Sequence, residues 1–112
     1  LNGVRFDFGI QSLSRQQVID LILTSETLGT QAYLGAIKFF ATKNFLLQAG
    51  AIQAIEARHA AVLASVLNQL GTPRVTAPLA GQETRINGIP NTAGIDGTAE
   101  PDNVLATVSP FI

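Results

Sequence analysis

The sequence predicts an all-α chain: an antiparallel helical hairpin that forms half of a four-helix bundle, followed by a long irregular C-terminal tail. Three observations predict it. All five prolines (Pro73, Pro78, Pro90, Pro101, Pro110) lie beyond Gly71, and proline removes a backbone donor and clashes inside a helix. Between Leu13 and Leu70 the apolar residues recur at helical spacing. Those segments are apolar around most of their circumference, so each needs cover on more than one side.

Residues 1–12 read as an extended lead-in, with Val4, Phe6 and Phe8 alternating against Arg5 and Asp7. The period of two fits a short strand as well as an extended stretch packed by its aromatics. The hairpin spans residues 13–71. Its first helix starts from Ser12 or Ser14 as N-cap and runs to about Ala41. Asp20, Thr24, Thr27, Gln31 and Lys38 form one narrow polar stripe, and nearly everything else is apolar. The connection at Thr42–Lys43 is short, which makes the helices antiparallel neighbours. The second helix starts near Asn44 and ends at Leu70, with Gly71 as the residue that reverses the chain. Phe45, Ala49, Ile52, Leu63, Val66, Leu67 and Leu70 are its expected inner face; Ala54, Arg58, Ala61, Ser65 and Asn68 are its outer one. Residues 72–112 form a turn-rich tail with Asn87–Gly88 and Asp96–Gly97 as turn signals. Near 101–109 a short helix begins at Glu100-Pro101-Asp102 and stops at Pro110.

The composition narrows the function classes. Only 13% of the 112 residues are charged, against about 25% in ordinary soluble domains. Low charge and all-round apolar helices together ask for a second layer: another copy, a separate chain, or a missing half of the same protein. The net charge of -1 gives no basic surface for nucleic acid. With no cysteine, disulfides, thiolate metal sites and thiol nucleophiles are excluded. No apolar run is long enough to cross a membrane. A start at Leu1 rather than Met points to an upstream segment. No phosphate loop, nucleophile elbow or dinucleotide fingerprint is present.

Three polar residues interrupt the apolar faces. Glu26 sits among Ile19, Ile22, Tyr33, Ile37 and Phe40; Glu56 and His59 sit among Ile52, Leu63 and Val66. A carboxylate on a core face is costly unless paired or bound to a cation. Glu56-Ala57-Arg58-His59 puts Glu56 and His59 one turn apart on one face, with Arg58 pointing away. Counted from a turn at residue 42 or 43, Glu26 lies about 16 residues before it and Glu56 and His59 about 14 and 17 after it. At about 1.5 Å per residue, all three reach nearly one height. Two such hairpins would supply four carboxylates and two imidazoles, the ligand set of di-iron carboxylate bundles. Oxygen donors with two histidines suit iron or manganese. Each residue alone has a plainer reading: His59 as a hydrogen-bonded core residue, Glu26 as the partner of Arg15 in a neighbour. The joint condition of three residues, one face and one level carries the metal reading. Tyr33 reads as a core aromatic before it reads as a donor to a carboxylate. Gln48 and Gln53 read as rim residues, and Gly29, Gly35 and Gly50 as points of close helix approach.

The chain resembles the ferritin-like domain of desiccation-related and stress-response proteins. The resemblance runs through Phe6-Asp7-Phe8, through Glu26-Thr27-Leu28-Gly29-Thr30-Gln31-Ala32-Tyr33-Leu34-Gly35-Ala36-Ile37, and through Ala54-Ile55-Glu56-Ala57-Arg58-His59-Ala60-Ala61-Val62-Leu63. Val104-Leu105 and Val108-Ser109-Pro110-Phe111-Ile112 look like the family's C-terminus. It implies the second half of a ferritin-like four-helix bundle, since members carry an earlier helix pair with its own Glu and Glu-x-x-His. It further implies Glu26, Glu56 and His59 as metal ligands, half of a di-iron site, with a ferroxidase role in stress protection. The missing half is then a separate or cleaved chain or a second copy in a homo-oligomer; alternatively the site is vestigial and holds no metal. Some members lose the His, whereas His59 is kept here. A metal-free, assembly-forming stress protein is the rival reading, and an oxygenase acting on organic substrates would share the site. Export signals in many members imply a secreted or extracytoplasmic setting.

Overall fold

The computed structural model describes residues 3–72 and 98–112, and among them the secondary structure is entirely helical. Two long helices, α1 (Arg15–Ala36) and α2 (Lys43–Gln69), pack as an antiparallel hairpin, and a short helix α3 (Pro101–Val108) returns against α1. The all-α hairpin read from the sequence is therefore present. The Asn87–Gly88 and Asp96–Gly97 turn signals lie outside the described residues.

The helix ends follow local chemistry. Ser14 is the N-cap of α1: its hydroxyl accepts from Gln17 N at 3.3 Å, and the Gln17 side chain accepts from Ser14 N at 2.8 Å. This reciprocal pair satisfies two otherwise orphaned donors and decides between Ser12 and Ser14. The helix stops at Ala36, five residues short of the expected Ala41, and tightens into a 3-10 turn over Ile37–Phe39. Such tightening satisfies terminal carbonyls. Phe40 and Phe45 then pack across the connection with ring centroids 6.4 Å apart. Thr42 caps α2 through its hydroxyl. At the far end Gly71 takes φ 78°. Gly71 N donates to Asn68 O and Thr72 N to Leu67 O, the paired bonds of a left-handed helix terminus.

The hairpin core is small: Leu23, Ala60, Ala64 and Leu67, flanked by Ile19 and Leu63. Alanines on α2 bring the two backbones close, so the seam has little volume to fill. The expected faces are only partly right. Ala54, Arg58, Ala61, Ser65 and Asn68 are exposed as expected, but so are Phe45 and Ile52. The expected polar stripe of α1 is not a solvent face. Thr27 and Gln31 are buried, and Thr27 buries cheaply because its hydroxyl donates to Leu23 O at 2.8 Å.

The C-terminal segment covers part of that stripe. Ala99 N donates to Gln31 O at 2.9 Å, and Lys38 pairs with Glu100 at 2.6 Å. Gly35 lets the Ala99 carbonyl lie directly on α1; a Cβ there would collide with it. Pro101 occupies the first turn of α3, where a missing N–H costs nothing. Beyond it Phe111 stacks near Phe8 at 5.0 Å, and Asp7 N donates to Phe111 O at 2.8 Å. The lead-in is irregular from Val4 to Gly9 and ends in a 3-10 turn over Ile10–Ser12. No strand occurs among the described residues, so the alternation of Phe6 and Phe8 marks extended chain with stacked rings, 6.1 Å apart.

These placements separate three glycines that the sequence grouped together. Gly50 has open space where a side chain would go, whereas Gly35 does not. Gly50→Ala should stabilise the chain by about 0.5–1 kcal/mol through helix propensity. Gly35→Ala should destabilise it by about 1–3 kcal/mol by lifting the C-terminal segment off α1. Urea titrations followed by circular dichroism measure both.

Candidate metal centre

Glu26 on α1 meets His59 on α2. The imidazole Nδ1 lies 3.2 Å from Glu26 Oε2, and it donates to that oxygen when it carries the proton. The pair crosses the hairpin at the level where the axial counting from the turn placed it. Glu26 is largely shielded, its side chain 25% exposed, whereas His59 is 57% exposed. His59 sits on the open side of the hairpin, where no further helix of the described chain lies across it.

Glu56 occupies the seam itself. Its carboxyl group lies against the Cα of Gly29, and a Cβ at Gly29 would overlap both of its oxygens and its carboxyl carbon. The glycine therefore holds a cradle for a carboxylate rather than a helix-helix contact. Glu56 Oε2 is buried and accepts no hydrogen bond. Burial pushes the Glu56 pKa above the ordinary carboxylate range, the Glu26 charge pushes it the same way, and His59 acts against both. The three sequence-selected residues are thus coupled: Glu26 and His59 by direct contact, Glu56 to both by charge. Arg58 is exposed, as expected from its spacing, and Tyr33 is half-buried.

A buried, unpartnered carboxylate oxygen ordinarily costs about 1–3 kcal/mol. A cation removes that cost. Two carboxylates and an imidazole are a donor set suited to iron or manganese. Among the described residues, however, no group of three or more Asp, Glu, His or Cys side chains, these three included, is placed to hold a metal ion. The donor types suit such an ion, but on the open face of one hairpin they do not make a site. That face is apolar around the pair. Ile22 of α1, Ile37 of the 3-10 turn that follows it, and Ile52, Ile55 and Val62 of α2 are all exposed. No helix among the described residues is long and apolar enough to cross a membrane.

Sequence reasoning missed the role of Gly29. The signal was there, because Gly29 lies one turn from Glu26 in a helix that otherwise avoids glycine until Gly35.

Two outcomes test the geometry. The folded pKa of Glu56 exceeds its unfolded value, so ionisation costs the native state. Stability of the metal-free protein should fall as pH rises from the usual carboxylate value through the raised one, and stay lower above it. Glu56→Gln should remove that fall and be the more stable protein at neutral pH, read by urea melts between about pH 4 and about pH 7.5. Gly29→Ala should displace the carboxylate and cost about 1–3 kcal/mol in the same assay, while Glu56→Ala in the Gly29→Ala background should recover most of that loss.

Comparison with known proteins identifies the family. A family model described as a ferritin-like domain matches residues 2–69, the lead-in and nearly all of the hairpin. No curated protein matches the chain. Nor does any solved structure.

Proposed function

The chain belongs to the ferritin-like domain family, and from that premise we propose that it is an iron-binding protein whose hairpin supplies half of a di-iron carboxylate site. The observation that carries this reading is the shielded, unpartnered oxygen of Glu56, set beside Glu26 and His59. A second hairpin, from another copy or a separate chain, would cover the open face and bring the remaining donors. Manganese would satisfy the same donors.

In this reading Glu56 and Glu26 would hold the metal ions through their carboxylate oxygens and His59 through a ring nitrogen. A bound pair of iron ions would supply oxidation of ferrous iron by oxygen or peroxide. The protein's own work is to hold its donors in place and keep water away. Gly29 keeps room for the carboxylate. Glu56 gives up its proton before it can bind a cation, so metal affinity rises with pH through its raised pKa. The apolar residues around Glu26 and His59 dry the level once a second hairpin seats on them. The proposal extends to a desiccation-related, stress-protective role outside the cytoplasm, and to the chain as the C-terminal half of the usual domain. These rest on the sequence motifs alone.

A metal-free assembly scaffold is the second reading. It is favoured by the direct contact of Glu26 with His59, which lets the two groups satisfy each other without a cation. Anaerobic titration of the chelator-treated protein with ferrous iron separates the two. The metal reading expects about two iron ions per pair of hairpins by elemental analysis and a melting temperature several degrees higher. It also expects both effects to disappear in Glu56→Ala and His59→Ala. No bound metal and no thermal shift, with assembly intact in both variants, establishes the scaffold instead.

A further inference from the structure

The return of the C-terminal segment leaves a half-open cavity of about 250 Å³ between α1, α3 and the lead-in. We propose that this cavity is a binding site for a small, uncharged, apolar molecule with the bulk of a bicyclic hydrocarbon. Its walls are Leu21 and Leu28 of α1, Val104 and Val108 of α3, and the rings of Phe8 and Phe111.

The chemistry of the wall selects the ligand. Among the described residues, no charged side chain lines the cavity. Three hydroxyls do, and each is already committed to its own helix. Thr24 donates to Asp20 O at 2.9 Å, Ser25 to Leu21 O at 3.0 Å and Thr107 to Asn103 O at 2.8 Å. An ion, a sugar or a nucleotide would lose its hydration and find no charge and no free side-chain donor there. An apolar molecule loses nothing polar and gains dispersion contacts from both sides. Size sets the upper bound. A dry cavity of about 150 Å³ holds benzene, so by proportion this one takes about ten carbons.

The space is preformed rather than opened by a ligand. The C-terminal segment is tied to α1 and the lead-in outside the cavity, by Ala99 N to Gln31 O, Lys38 to Glu100 and Asp7 N to Phe111 O. These contacts hold α3 at a fixed distance from α1. Gly29 and Ala32 present almost no side chain toward the space, which keeps it from filling. Gly29 also carries the Glu56 carboxylate, so a bound molecule would rest one residue away from the candidate metal level. The cavity itself requires no metal.

The test is a titration of the isotope-labelled full chain with naphthalene, in the presence of chelator and followed by amide nuclear magnetic resonance. The proposal expects saturable shifts confined to residues around Leu28, Val104 and Phe111, and a higher melting temperature. Ala32→Phe should fill the cavity and abolish both effects. If that variant does not fold, Ala32→Leu should weaken binding at least tenfold. Absence of saturable shifts would overturn the proposal. So would shifts centred on Ile22, Ile52 and Val62, which mark the open face of the hairpin, or binding that survives the filling variants. Because chelator is present throughout, these results are independent of whether the chain binds iron.

Discussion

Glu56 lies on the Cα of Gly29 at the seam between the two long helices, with one oxygen shut off from water and from any donor. The hairpin core of Leu23, Ala60, Ala64 and Leu67 is apolar and offers no side-chain donor. A second carboxylate, Glu26, shares the level, and like charges at close range oppose joint ionisation. The hairpin therefore carries a local cost in its own core, offset in part by His59. Proteins keep such costs at functional sites, and a cation shared with a second hairpin would turn this one into binding energy.

The same constraint explains the surface. A hairpin that covered Glu26 and His59 with its own residues would satisfy them and leave nothing to bind. Here the helices turn small residues toward each other and leave Ile22, Ile37, Ile52, Ile55 and Val62 outside. Where exposed apolar side chains form a contiguous patch, it marks an interaction site more often than a solvent face. The low charge of the chain fits it, since a face meant for burial cannot carry many ions. The C-terminal segment serves the opposite side of α1, closing it with α3 and leaving the apolar cavity as a by-product of helices held apart.

Much of this was legible in the sequence, for physical reasons that differ from element to element. The proline distribution and the hydroxyl and glycine caps act locally, so the hairpin and the short terminal helix could be placed to within a few residues. The level shared by Glu26, Glu56 and His59 followed from helix rise alone. Burial was harder to read. Thr27 and Gln31 looked like surface residues, yet the threonine satisfies its hydroxyl within its own helix and the glutamine lies under Ala99. That contact joins residues far apart in the chain, and periodicity carries no trace of it. The early end of α1 has the same character: Lys38 reaches to Glu100, and the connection is fixed by Phe40 and Phe45. Gly29 shows the limit most clearly. A glycine in a helix announces a close approach, but whether backbone, carboxylate or nothing approaches is decided by the neighbour, as Gly35, Gly29 and Gly50 demonstrate in turn.

The central proposal is that Glu26, Glu56 and His59 are half of a shared cation site. The most direct measurement is a crystal structure of the assembled protein grown with iron, with diffraction recorded on both sides of the iron absorption edge. It predicts anomalous peaks within bonding distance of Glu56 and His59, between two facing hairpins. Facing hairpins with no anomalous signal at that level, and Glu56 hydrogen-bonded to a protein donor instead, would contradict it.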